Sequence, residues 1–189
     1  MPTDSPAGAL ATLEGRRLRL RPLAAEDAAA VFEAVEASRE QLRRRLRWVS
    51  LAAGVEDESR FIARSEAESQ SGAVLVWGVF EAKSGGFAGV VSLDRAEAAE
   101  RAGIGCWIRA DRQERGYASE AGKLVLEHCF RKLGVHRVYA RIDPANRAFR
   151  KVLKKLGFRY EGCLRDDKRL NGRWIDQECW GILNAEWKR

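Results

Sequence analysis

No apolar run in this sequence approaches the ~20 residues that a membrane-spanning helix needs. Residues 1–12 lack the basic start and apolar stretch of a secretory leader and read as a flexible tail. The expectation is a soluble, cytoplasmic protein with no membrane partner. Metal ligands are also scarce. The histidines are His128 and His136, and Cys106, Cys129, Cys163 and Cys179 form no Cys-x-x-Cys pair. A zinc site would draw four such ligands at recognisable spacing, so no metal is expected. The thiols, each among apolar neighbours, read as reduced small hydrophobes. Neither Gly-x-x-x-x-Gly-Lys-Ser/Thr nor Gly-x-Gly-x-x-Gly occurs, which excludes two familiar phosphate-binding loops. Repeats, low-complexity tracts and internal linkers are absent as well.

What remains is a globular composition. The chain has 189 residues, 46% hydrophobic and 32% charged, enough to bury one sizeable core. Residues 13–189 therefore read as one domain. The formal net charge of +7 favours an anionic partner, whether nucleic acid, an acidic protein or a phosphorylated cofactor. No helix-turn-helix, zinc or aromatic RNA-binding signature accompanies the charge, so nucleic acid ranks last. Part of the charge sits in Arg43, Arg44, Arg45 and Arg47, at the end of a helical pattern where cations suit the helix dipole.

Periodicity predicts an α/β domain. Leu18 to Pro22 alternates leucine with arginine, as a strand with one wet face does. Helical spacing follows from about Ala24 to Trp48 and from about Glu56 to Ser69. Ala73 to Phe80 is nearly all apolar, which suits a strand covered on both faces. Strands are expected at Phe87 to Leu93 and Gly103 to Arg109, with a charged loop from Asp94 to Arg101 between them. A helix to about Leu133 and a strand from His136 to Ile142 come next. Asp143-Pro144 reads as an N-cap with proline at the first helical position, opening a helix that runs to Leu156. Phe158 to Leu164 and Arg173 to Leu183 then pair through a turn at Asn171-Gly172.

The chemistry concentrates between Ile104 and Leu133, where a strand, a short basic turn, a glycine and a helix follow one another. Unpaired N–H groups at a helix start form an anion site. Gly116 lets that backbone approach a ligand closely, and Arg112 and Arg115 add positive charge. Such a turn suits a pyrophosphate. Gln113-Glu114-Arg115-Gly116-Tyr117-Ala118 resembles the Gln/Arg-x-x-Gly-x-Gly/Ala motif of the GNAT acetyltransferases, and it follows the strand Ile104-Gly105-Cys106-Trp107-Ile108 as in that family. Asp143-Pro144-Ala145-Asn146 and Lys155-Leu156-Gly157-Phe158 match its later landmarks. Leu18-Arg19-Leu20-Arg21-Pro22, Glu161-Gly162-Cys163 and Leu170-Asn171-Gly172 resemble the RimJ/RimL branch, the ribosomal-protein N-terminal acetyltransferases.

The resemblance implies a mixed, mostly antiparallel sheet of about six to seven strands, flanked by about four helices. Its fourth and fifth strands, here Gly103 to Arg109 and His136 to Ile142, would splay around the pantetheine arm of acetyl-CoA. Gln113, Glu114, Arg115, Gly116, Tyr117, Ala118 and Ser119 would bind the CoA pyrophosphate. Asn146 would hold the pantetheine or cap its helix. The backbone N–H near Ile108 would meet the acetyl carbonyl as an oxyanion donor. Trp48 and Arg44 would lie on the acceptor side, where the basic helix could attract an acidic protein. A homodimer is common in this branch.

Two departures mark the sequence. The position of the family's tyrosine acid is Leu153, and that of the branch's serine is Phe149. A base often placed in the loop after Glu161-Gly162 would fall on Lys168, with Asp166 and Asp167 beside it. An α-amine with a pKa of about 8 is roughly one-tenth neutral at pH 7, whereas a lysine near ~10.4 needs a true base. The expected acceptor is therefore a protein N-terminal α-amine. The alternatives are a small amine such as a polyamine or aminoglycoside, and a catalytically silent acyl-CoA-binding module.

Overall fold

The computed structural model describes residues 10–96 and 100–188. Residues 1–9 of the expected tail and 97–99 of the expected loop lie outside the described residues. Eight strands form one sheet: β1 (Leu13–Glu14), β2 (Leu18–Pro22), β3 (Val74–Glu81), β4 (Phe87–Ala96), β5 (Arg101–Ile108), β6 (Arg137–Ile142), β7 (Arg159–Leu170) and β8 (Arg173–Leu183). Four helices accompany them: α1 (Ala28–Arg43), α2 (Val55–Ser71), α3 (Tyr117–Arg131) and α4 (Arg147–Lys155). The strand order is β1-β2-β3-β4-β5-β6-β8-β7. Only β5 and β6 run parallel, and their register holds from Arg101↔Arg137 to Gly103↔Tyr139. The two-residue β1 raises the count above the expected six to seven, and makes β5 and β6 the pair expected to splay.

Each sheet face is covered. Leu75, Trp77 and Val79 of β3 join a core under α3 and α4 that includes Ala121, Val125, Cys129 and Leu153. Val76 and Phe80 point the other way, into a core with Val31, Val35, Leu42 and Ile62 of α1 and α2. This two-sided burial explains the unbroken apolar run of β3. In β2, Leu18 and Leu20 are fully buried on one face, while on the other Arg19 is exposed and Arg21 is part-buried against Asp27 and the Phe80 ring.

Three boundaries differ from the sequence expectation, each for a local reason. The chain leaves α1 after Arg43, and the N–H groups of Arg45 and Leu46 both turn back to the Leu42 carbonyl. Helix α4 is capped by Asn146, whose Oδ1 accepts from Phe149 N at 3.2 Å. Asp143 instead closes the preceding turn, accepting from Ala145 N at 2.7 Å. Strand β7 runs on to Leu170 across a register shift between Leu164 and Lys168, which breaks its alternation. Asn171 and Gly172 both take positive φ, 49° and 80°, as the two-residue hairpin turn requires. The hairpin tip reaches α1: Lys168 Nζ donates to Arg45 O and Asn171 Nδ2 to Arg43 O, both at 3.2 Å. The last carbonyl of α1 and one just beyond its end thus find donors.

Helix α2 buries a charge-bearing group. Glu58 is 2% exposed, and its Oε1 has no hydrogen-bond partner. Burial, seconded by Asp57, pushes its carboxyl above the ordinary range, against the opposing pull of Arg39. A raised native pKa stabilises the fold below the usual glutamate value of about 4.3, and that contribution is lost as pH rises through the native value. Glu58→Gln should therefore leave Tm nearly unchanged near pH 4 and raise it at pH 8, on a scale of about 2–4 °C per kcal/mol for a domain this size. Thermal unfolding of both proteins across that range checks it; a Tm difference independent of pH would contradict the assignment.

Candidate active site

The short parallel pairing of β5 and β6 opens a gap in the sheet, and a cavity of about 640 Å³ occupies it. Past Gly103, residues Ile104 to Ile108 stay paired with β4, ending at Gly89↔Ile108. Ala140 to Ile142 of β6 stay paired with β8. Each strand thus turns an edge without a strand partner toward the gap. Cavity walls come from these edges, the turn before α3, the start of α4, the end of α1 and the β7–β8 hairpin.

At one end lies the loop 113–119. Glu114 and Gly116 both take left-handed φ, 60° and 78°, and Gly116 is the residue from which α3 springs. The first intrahelical bond is Glu120 N to Gly116 O at 3.0 Å. The N–H groups of Tyr117, Ala118 and Ser119 precede it and have no carbonyl one turn back. This is an anion-binding concavity at a helix N-terminus. The loop is braced from β2: Arg17 donates to Arg115 O at 2.8 Å and to Glu120 at 2.7 Å. Tyr117 donates its hydroxyl to Glu81 at 2.9 Å. Glu81 also faces Arg112 at 3.3 Å and Arg115 at 4.0 Å. A hydrogen bond from Ser84 and one from Tyr117, with both arginines, hold its carboxyl below the usual range. Glu81 therefore offsets part of the positive charge of the turn.

Helix α1 is tied to the same turn. Gln41 and Gln113 exchange side-chain hydrogen bonds at 2.9 Å in each direction, and Gln113 Nε2 also donates to Ile108 O at 2.8 Å. Ser38 Oγ accepts from Ala110 N at 2.9 Å. The end of β5, the turn and α1 thereby form one connected unit. Cys106 lines the gap, and burial pushes its thiol up to about 12. It stays protonated at neutral pH and cannot serve as the nucleophile of a covalent route.

Among residues singled out in the sequence, Ile108, Gln113, Glu114, Gly116, Tyr117, Ala118, Ser119 and Asn146 line this cavity together. Arg115 stands behind the loop, half-exposed beside Glu81. Asp166 and Asp167 sit on the β7 bulge outside the lining; Asp167 meets cavity-lining Arg141 at 3.4 Å. Arg44 points to solvent and pairs with Glu40 at 3.0 Å. Trp48 stacks on Phe61 and leans on Trp107, with centroids 6.5 and 6.4 Å apart. Trp107 itself lines the cavity. Sequence reading missed Gln41, Arg45 and Gln177 as lining residues, since nothing local marks a helix end or a strand residue as facing a cavity formed by distant elements. Among the described residues, no cluster of histidine, cysteine and carboxylates could hold a metal.

Comparison with known proteins follows this geometry. A family model described as an acetyltransferase (GNAT) domain matches residues 17–159. The Probable N-acetyltransferase YjcK of Bacillus subtilis (strain 168) is 31% identical over 134 residues, covering 70% of this chain and 74% of that protein. A solved structure of Mycobacterium smegmatis RimJ in complex with CoA-disulfide superposes with a TM-score of 0.88 at 27% identity, covering 95% of this chain and 90% of that one. RimL, a ribosomal L7/L12 alpha-N-protein acetyltransferase solved with coenzyme A, gives 0.87 at 21% identity over 92% and 98% of the two chains, a likeness of fold.

The left-handed Gly116 offers a direct test. An added Cβ would meet only Arg17 Nη2, at 3.4 Å, so the backbone angle is the main obstacle. Alanine held there costs about 1–2 kcal/mol. Gly116→Ala should lower Tm by several degrees and weaken inorganic pyrophosphate binding at least severalfold in calorimetry. Unchanged pyrophosphate affinity would separate the loop from anion binding.

Proposed function

The chain belongs to the GNAT acetyltransferase family, and from that premise we propose that it moves an acetyl group from acetyl-CoA to the N-terminal α-amine of a protein by direct attack on the thioester. The observation that carries the reading is the continuity of one cavity, from the first-turn N–H groups of α3, through the β5–β6 gap, to the ends of α1 and the β7–β8 hairpin. The donor and the amine need to meet in such a passage. RimJ, bound to a CoA-disulfide, and RimL, described as acting on a ribosomal protein's α-amine, support the donor and the acceptor class respectively.

The chain's own residues fit the donor. Gln113 to Ser119 would take the pyrophosphate on backbone N–H groups, with Arg112 and Arg115 adding charge. The unpaired edges of β5 and β6 would receive the amides of the pantetheine arm. Asn146 uses its oxygen to cap α4, which leaves its amide hydrogens for the same arm. At the β5 end, the N–H near Ile108 would meet the carbonyl oxygen as charge develops there. The amine nitrogen bonds to the acetyl carbon, the C–S bond breaks, and CoA leaves as a thiolate whose ordinary pKa of about 8.5 needs little help.

No strong base is called for in this scheme. The lining carboxylates are Glu114 and Asp143, one in the pyrophosphate turn and the other bonded to Ala145 N. Trp48 and Arg44 would frame the acceptor entrance from the α1 side. Asp166 and Asp167, which immediately precede Lys168 and lie outside the cavity lining, would pass the ammonium proton to solvent. Positioning supplies most of the rate instead.

The test is acetyl-CoA-dependent release of free thiol against peptides with free N-termini and against polyamines. Peptides should be turned over, with kcat/KM rising about tenfold per pH unit until the plateau near ~8 set by the α-amine. Asp166→Asn and Asp167→Asn should each lower kcat/KM less than about tenfold, because a true general base is worth about 100- to 10,000-fold. Release with polyamines alone would transfer the acceptor to small amines. Acetyl-CoA binding without release on any amine would favour a silent binding module.

A further inference from the structure

The arginine run at the end of α1 divides in two. Arg43 and Arg44 lie outside, 59% and 68% exposed, and share Glu40. Arg45 turns inward and lines the cavity. Its Nε is buried without a hydrogen-bond partner. Lys168 lines the same cavity from β7 and reaches across to Arg45 O at 3.2 Å. Among the described residues, neither side chain meets a carboxylate. Arg112, Arg141 and Lys151 also line the cavity; Arg112 faces Glu81 at 3.3 Å and Arg141 meets Asp167, which is not part of the lining, at 3.4 Å. The lining acids, Glu114 and Asp143, belong to the pyrophosphate turn and to the turn before α4.

Two half-buried cations that line one cavity and meet no carboxylate both lose part of their hydration without a compensating charge. The fold nevertheless fixes them together: the bulge in β7 carries Lys168 to the end of α1, and the break in that helix after Arg43 turns Arg45 toward it. Elsewhere the protein pairs its partly buried arginines with acids, as with Arg21–Asp27 and Arg150–Glu178. Arg45 and Lys168 are left with donors to spare, facing the space an acceptor would fill.

We infer that Arg45 and Lys168 form an anion-reading subsite that holds a carboxylate carried by the acceptor close behind its reactive amine. This rests on the acetyltransferase reading above. A guanidinium and an ammonium together match a carboxylate's two oxygens. The subsite opens into the same cavity as Ile108, so the carboxylate belongs to the acceptor itself and lies within a residue or two of the amine. In a protein acceptor this is an acidic side chain at the second or third residue. The same two cations oppose a polyamine, whose further charges would be driven against them.

The experiment measures thiol release with matched peptides that differ only at the second and third residues, acidic, amide or basic, alongside free glutamate and spermidine. Wild type should prefer acidic over amide peptides at least tenfold in kcat/KM, chiefly through KM, and basic peptides should be poorer still. In Arg45→Met combined with Lys168→Met, the acidic-to-amide ratio should fall toward one. Arg45→Lys should keep most of the preference. Release with free glutamate and not with peptides would keep the subsite and move the amine to a free amino acid. Equal rates for acidic and amide peptides in the wild type would overturn the subsite while leaving the acetyltransferase reading intact. A preference that survives the double variant would also overturn it. No release with any acceptor, beside intact acetyl-CoA binding, would remove both readings.

Discussion

The three-residue length of the β5–β6 pairing is the constraint on which the remainder depends. A parallel pair needs a crossover, and here α3 supplies it while covering one face of the sheet. Because α3 must start beside the open end of β5, its N-terminal N–H groups face the head of the gap that the diverging strands create. The anion site and the slot are thus two consequences of one topology. Had the pairing continued, the backbone edges of Ile104 to Ile108 would have been satisfied by β6, and no polar slot would remain. The antiparallel pairings of β5 with β4 and of β6 with β8 are extensive, which fixes both walls independently of what enters between them.

The electrostatic arrangement follows the same division. Around the framework, arginines are matched with acids: Arg17 with Glu120, Arg21 with Asp27, Arg137 with Glu161, Arg150 with Glu178. Some of these pairs position the site. Arg150, bonded to Glu178 and to Pro144 O at 2.7 Å, fixes the turn from which Asn146 caps α4. Glu81 faces Arg112 and Arg115 and so offsets part of the positive charge of the turn before α3. Part of the formal +7 excess therefore has an address, in the cavity, where Arg45, Arg112, Arg141, Lys151 and Lys168 outnumber Glu114 and Asp143.

How legible this was in the sequence depends on how local each feature is. The turn 113–119 is contiguous, so its residues could be read from one stretch, and the need for a glycine at 116 was legible although its left-handed φ was not. The two faces of β3 were legible from its unbroken apolar run, and the Asn171-Gly172 turn from its residue types. What was not legible was assembled over distance. Lys168 meets Arg45 across 123 residues of chain, and Gln41 meets Gln113 across 72. The bulge that carries Lys168 inward also interrupts the alternation by which a strand is recognised, so the sequence signal failed where the geometry became useful. Asp143 and Asn146 are both competent caps, and only the observed hydrogen bonds decide between them.

The two substitutions that looked like losses take a different meaning in the fold. Leu153 is fully buried in the core beneath α4, so a hydroxyl there would have to displace packing before it could meet a thioester. Phe149 does line the cavity and keeps that stretch apolar. Burial also raises the Cys106 thiol, which disfavours the thiolate that a covalent route through it would need. In the proposed reaction, cations lining the cavity would disfavour the ammonium form of an incoming amine and so enrich the neutral form that attacks. A positive acceptor end would thus perform part of a base's work without accepting a proton. That places the demand on the acceptor, whose amine has to be weakly basic at the start, and it argues for α-amines over lysine side chains from the protein's own charges rather than from any one catalytic residue.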